Sequence, residues 1–205
     1  MNLSKKIITL VFGFWVCLSL FLPLSASYPK HVEIALNEVG INKKQNEKYI
    51  VKTYLVPLGI KSYTNYCAAF VTYCLDKSDE VLEHTRTAVA QRFIDKTSIS
   101  ANDVLNGRVT VPSGSIVIWK YIGSWKGHVG FVLNWNGSKG KTVEGNTSSN
   151  NTREGGNVEI KNRTINRHSS FRITHFTLVD YKDKTIEVAI LRFAKNLGIV
   201  PVWNY

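Results

Sequence analysis

Cys67, His128 and the pair Glu144 and Asn146 are the residues of this chain whose types and order could carry out acyl transfer. Cys67 stands at the start of a predicted helix, directly after the polar turn Ser62–Asn65. A helix N-terminus carries unpaired N–H groups and a partial positive charge. Both favour thiolate over thiol, and the same N–H groups can hold a developing oxyanion. Position alone leaves Cys67 open between a nucleophile and a small buried residue, the role that suits Cys74 on the apolar face. His128 opens a predicted strand in Lys126-Gly127-His128-Val129-Gly130-Phe131-Val132. Its ring can face a helix end there, and Gly127 and Gly130 leave room for backbone or substrate. Alternation puts Gly130, Val132 and Asn134 on the His128 face, and Val129, Phe131, Leu133 and Trp135 on the other. His31, His84, His168 and His175 lie in segments less suited to a base. In Glu144-Gly145-Asn146, residues two apart along a strand share a face. A carboxylate or amide there could accept the imidazole N–H and fix its tautomer; an exposed strand end has the same pattern. In order, the three positions supply a nucleophile, a base and an orienter.

A metal reading fares worse, because no His/Cys cluster has zinc-ligand spacing. No cofactor motif is present, so none is expected. The two cysteines after residue 27 invite a disulfide in an exported protein. If the segment is helical, however, seven residues separate their Cα atoms by about 10 Å, and a disulfide needs less than about 7 Å. A free thiol kept in an oxidising compartment then calls for a use.

Export is expected from the N-terminus. Lys5 and Lys6 precede an apolar run from Ile7 to Leu24, and Ser25-Ala26-Ser27 supplies small residues for cleavage before Tyr28. Residues 1–27 therefore read as a signal peptide, against the alternative of an uncleaved anchor, and place the mature chain in the periplasm or outside the cell. Cys17 lies within this run and is expected to leave with it. The formal charge is +11 and falls to +9 without Lys5 and Lys6. Such charge draws an exported protein towards anionic wall polymers; export argues against nucleic acid as the partner. The basic residues are scattered rather than blocked, so solubility alone also accounts for them.

The elements that must position these residues are helices first and strands afterwards. Helices are predicted over His31 to Val39, Glu47 to Leu58, from Cys67 through Leu75, and over Thr87 to Ile94. Strands are predicted over Ser115 to Trp119, His128 to Trp135, Thr142 to Asn146, near Val158 to Ile160, and over Arg172 to Val179. Asn136-Gly137 is a hairpin turn. Thr147 to Asn157 reads as a polar loop. Thr185 to Leu197 fits a strand at its start and a helix at its end, with helix preferred there. The fold class is α+β, with N-terminal helices packed on a small antiparallel sheet.

At these residues the chain resembles the CHAP family, the cysteine- and histidine-dependent amidohydrolases/peptidases of the papain-like group that includes NlpC/P60 enzymes. The matching stretches are Tyr66-Cys67-Ala68-Ala69-Phe70-Val71, Pro112 to Trp119, Gly127-His128-Val129-Gly130-Phe131-Val132 and Glu144-Gly145-Asn146-Thr147. The resemblance implies a papain-like fold; a catalytic domain is expected over 28–180, and 181–205, outside the resemblance, is expected as an extension packed on the same domain. It implies hydrolysis of amide bonds of peptidoglycan, as a stem-peptide endopeptidase or N-acetylmuramoyl-L-alanine amidase; a monomer is expected. Cys67 becomes the nucleophile, His128 the general base and then acid, Glu144 the orienter, and Asn146 completes the polar group. Tyr66, Trp119 and Trp125 are expected along the substrate groove, or else in the core. Ser115 stands where the family often has aspartate. The rival readings are an inactive wall-binding module, or a transpeptidase or toxin on the same fold. Thiol reactivity and product analysis separate them.

Overall fold

The computed structural model describes residues 27–148 and 155–180. The predicted signal peptide, the extension 181–205 with its Thr185 to Leu197 segment, and residues 149–154 of the predicted polar loop lie outside these.

Three helices lead. The first, α1, spans Lys30–Asn37, and α2 spans Lys43–Ile50 before continuing as a π turn, Val51–Leu55, and a 3-10 turn, Val56–Leu58. Helix α3 spans Cys67–Lys77. A half-buried carboxylate ties the three together. Glu38, just past α1, accepts hydrogen bonds from Tyr49 (2.9 Å), Tyr54 and Tyr73 (3.2 Å). The segment from Thr87 to Ile94 forms only a 3-10 turn, Ala90–Phe93, instead of the expected helix. The backbone of Thr87 is bonded to the Thr72 hydroxyl of α3 in both directions, 3.0 and 3.2 Å, and is not free for helical bonds.

The sheet has six antiparallel strands in the order β1-β6-β2-β3-β4-β5. They are β1 (Ser98–Ser100), β2 (Ile116–Tyr121), β3 (Gly127–Asn136), β4 (Lys139–Thr147), β5 (Asn157–Thr164) and β6 (Phe171–Thr177). A five-residue helix, α4 (Ala101–Leu105), follows β1. Both β1 and α4 are too short for periodicity to mark them; a Ser100 hydroxyl accepting from the Asp103 N–H caps α4. The β3–β4 hairpin turns at Gly137-Ser138, one residue later than the expected Asn136-Gly137, because Asn136 still pairs with Lys139 and Gly137 takes the left-handed backbone.

One face of the sheet takes Ile116, Ile118, Val129, Phe131, Leu133 and Val143 against the helices. The opposite face takes Val117, Trp119, Val132, Ile173 and Phe176 with α4. Helix α3 is the centre of the first layer: Phe70, Val71, Cys74 and Leu75 are all at most 1% exposed. Burying each of the large ones stabilises the fold by about 2 kcal/mol. Alternation fails at one expected place. A bulge in β3 between Val132 and Asn134 turns Trp135 onto the Val132 face, away from Phe131 and Leu133. Ser115, where an aspartate was the family expectation, closes a turn by donating from its hydroxyl to the Pro112 carbonyl at 2.8 Å.

Candidate active site

Helix α3 begins at Cys67 with Tyr66 in the N-cap position. No side chain caps it and no acid sits in its first turn, so its leading N–H groups keep their positive end for an incoming group. Cys67 is 8% exposed, while Cys74 is fully buried. Both thiols are free, and the unbroken helix between them holds them two turns apart. Burial pushes the Cys74 thiol far up, helped by the charge of Glu38, so it stays protonated and inert.

His128 is the second residue of β3 and pairs across the sheet with Trp119 of β2. Their rings lie 5.2 Å apart. The imidazole Nε2 meets Glu144 Oε2 at 2.8 Å. Cys67 lies within hydrogen-bonding reach of the same ring. With Nε2 engaged by the carboxylate, Nδ1 is the nitrogen left for the thiol. Burial alone would lower the His128 pKa. The hydrogen bonds to Cys67 and Glu144, and the charges on both, outweigh it and raise the ring to about 9. At neutral pH His128 is therefore an imidazolium, the state that pairs with a thiolate and can protonate a leaving amine.

Glu144 of β4 is fully buried. Burial favours its neutral form, but Arg163 first and His128 second reverse this and hold the carboxyl well below the usual carboxylate range. Its oxygens accept from Thr142, His128 and Arg163, the last through two nitrogens, Nε at 2.7 Å and Nη2.

Gly130 makes room for this carboxylate. A Cβ at Gly130 would lie 2.6 Å from Glu144 Cγ and 2.8 Å from the Val143 carbonyl. Gly130→Ala is therefore expected to push Glu144 off His128; the ring then loses one of the partners that raise its pKa, so its titration moves to lower pH, which NMR of the imidazole checks. Gly145 serves the helix instead, since a Cβ there would meet Phe70 of α3 at 2.6 Å.

The other sequence candidates are placed differently. Asn146 does not continue the alternation from Glu144. A bulge between Glu144 and Thr147 intervenes, and Asn146 takes a left-handed backbone at φ 55°. Its side-chain amide donates to Asn65 Oδ1 at 3.2 Å, bracing the turn before Cys67. Tyr66 does not line a groove. It is wholly buried, stacks on Tyr54 at 5.6 Å, and donates its hydroxyl to the Gly156 carbonyl at 2.9 Å. Trp119 is 5% exposed and belongs to the core beneath the site. Trp125 alone of these aromatics is open, at 73% exposure. It sits in the turn leading into His128, which Gln91 pins by donating to the carbonyls of Ser124 (2.7 Å) and Lys126 (2.8 Å).

Arg163 of β5 escaped the sequence reading. The signal for it was faint: Glu159, Lys161 and Arg163 alternate along one face of a strand, as solvated charges commonly do. Among the described residues no group of three or more His, Cys, Asp and Glu side chains is arranged to hold a metal ion. The arrangement suits general acid–base and nucleophilic chemistry by a thiol.

Residues 59–146 match the family model of the CHAP domain, a stretch that includes Cys67, His128, Glu144 and Asn146. No curated protein and no solved structure matches the chain.

Proposed function

We propose that this chain, whose residues 59–146 match the family model of the CHAP domain, is an exported cysteine amidohydrolase/peptidase that hydrolyses amide bonds in bacterial peptidoglycan. The bond is a stem-peptide link or the N-acetylmuramoyl-L-alanine amide. The observation that carries this reading is the line from the uncapped start of α3 through Cys67 and His128 to buried Glu144.

The thiolate of Cys67 attacks the amide carbonyl, forming an S–C bond. The oxyanion is held by N–H groups of the first turn of α3. His128 gives its proton to the leaving nitrogen as the C–N bond breaks, leaving a thioester and a neutral ring. That ring then takes a proton from water, whose oxygen attacks the thioester. The acid departs, and the thiolate and imidazolium are restored. Glu144 holds the ring orientation throughout. The test is digestion of purified peptidoglycan by the full chain with mass analysis of the products. One new amine and one new carboxylate per cut support hydrolysis. A new amide in place of the acid identifies a transpeptidase, and no change in mass leaves a binding module.

We assign Trp125 to the substrate side, because its ring is exposed and its turn leads into the strand that carries His128. Trp125→Ala is expected to raise KM about 10-fold through loss of roughly 1–2 kcal/mol of stacking and apolar contact, with kcat and thermal stability near wild type. Initial rates over a range of wall concentrations, with a melting curve, check it. The formal charge of +11 supports attraction to anionic wall polymers; rates that fall with added salt are the corresponding signature.

A further inference from the structure

Arg163 lies on β5, beyond residue 146 where the family match ends, yet it is built into the site. Its guanidinium grips both oxygens of Glu144. It also lies over the Trp119 ring at 5.4 Å and reaches the Thr147 hydroxyl at 3.3 Å. Trp119 in turn stands against the His128 ring at 5.2 Å, so cation, indole and imidazole form one row. A planar fork held on two oxygens and on an aromatic face is fixed in direction as well as in charge.

The reaction makes such a group necessary. Glu144 has no exposed surface, and an unpaired charge in that position is strongly unfavourable. While His128 is an imidazolium, Glu144 has a partner there. Once the proton has gone to the leaving amine, His128 is neutral, and Arg163 is the remaining cation on the carboxylate. A guanidinium does not titrate at any pH the enzyme meets. We propose that Arg163 is a positioning residue of the reaction, holding Glu144 ionised and aimed at His128 Nε2 through the half of the cycle in which the ring is neutral. The proton that leaves His128 then goes to substrate nitrogen.

The charged groups around this carboxylate come from four elements: Cys67 on α3, His128 on β3, Glu144 itself on β4, and Arg163 with Glu159 and Lys161 on β5. Glu159 pairs with Lys161 at 3.5 Å, and its charge adds to the field that holds Arg163 protonated. Lys161 is further held by the Ser148 carbonyl at 2.8 Å. Glu159 stands opposite Glu144 in the β4–β5 register, but the cation bonded to the Glu144 carboxylate from β5 is Arg163.

The inference rests on the hydrolase reading, so its test has two readouts on the full chain: wall hydrolysis, and the rate of Cys67 alkylation by iodoacetamide across pH. Arg163→Gln is expected to lower kcat about 100-fold with KM little changed. The acid limb of kcat/KM should move to higher pH, because burial pushes Glu144 up once its main counter-charge is gone. Arg163→Lys keeps the cation but not the fork, so the acid limb should return in part while kcat stays low. The deciding comparison is a double-mutant cycle. In a Glu144→Gln background, Arg163→Gln should change kcat and the alkylation profile scarcely at all. Losses that multiply in full in both backgrounds, or an unmoved acid limb in Arg163→Gln, overturn the proposal. Should Arg163→Gln fail to fold, Arg163→Lys in the same two backgrounds decides by the same criterion. Alkylation that depends on Arg163 in a chain that digests no wall sinks the hydrolase reading and keeps the clamp. Wall digestion indifferent to Arg163 does the reverse.

Discussion

Cys67→Ala is expected to abolish peptidoglycan hydrolysis, a loss on the order of 10⁶-fold in kcat, in a protein that still folds. The loss follows from removing the sulfur that stands beside His128, since without it no thioester can form. The fold survives because Cys67→Ala removes a single sulfur from the buried first residue of α3, and the helix is still held by Phe70, Val71, Cys74 and Leu75. Cys74→Ala is the matching control. It deletes a fully buried sulfur and leaves a small void, at about 1–2 kcal/mol, which lowers the melting temperature by roughly 5 °C with hydrolysis retained. Wall-turbidity assays and melting curves on the two variants separate chemistry from packing.

The same thiol governs the pH profile. His128 is raised to about 9 from an ordinary 6.5. Its acid function is therefore present through neutral pH and lost above about 9, giving an alkaline limb in kcat/KM there. A raised histidine contributes stability that is complete below 6.5 and disappears as pH rises through about 9. In Cys67→Ala one of the raising partners is gone and burial still lowers the ring, so its titration moves to lower pH, which NMR of the imidazole reads directly.

Glu144→Gln is the second large effect, expected to lower kcat on the order of 10⁴-fold. The amide keeps the shape but replaces an acceptor by a donor facing His128 and Arg163, so the ring loses both its tautomer and its support for the imidazolium. Glu144→Ala should destabilise as well, by about 3 kcal/mol, because it leaves a largely buried Arg163 without its carboxylate. The sign with pH is opposite to that of His128. Glu144 is held below the usual carboxylate range, so its contribution is present at neutral pH and lost only in strong acid. Unfolding midpoints at pH 7 should therefore differ between wild type and Glu144→Ala, and converge as the pH is lowered. Equal stability at pH 7 would mean that Arg163 finds another partner.

Local chemistry was the part written plainly along the chain. Cys67 at a helix start, His128 at a strand start, Glu144 within a strand and the α+β order all follow from periodicities a few residues long, and the structure places each on the expected element. What depends on partners far away in sequence was not legible. Two bulges decided which way Trp135 and Asn146 turn, and a bulge is a mismatch between two strands that neither strand announces. Tyr66 looked like a groove residue because it adjoins Cys67; its stacking on Tyr54 and its bond to the Gly156 carbonyl put it inside. Arg163 became part of the site through the β4–β5 register, which sets it opposite Gly140 and within reach of Glu144. Residue type states what a side chain can do. Long-range strand pairing decides what it does it to, because a carboxylate and a guanidinium nineteen residues apart share no local signal until the backbone brings them together.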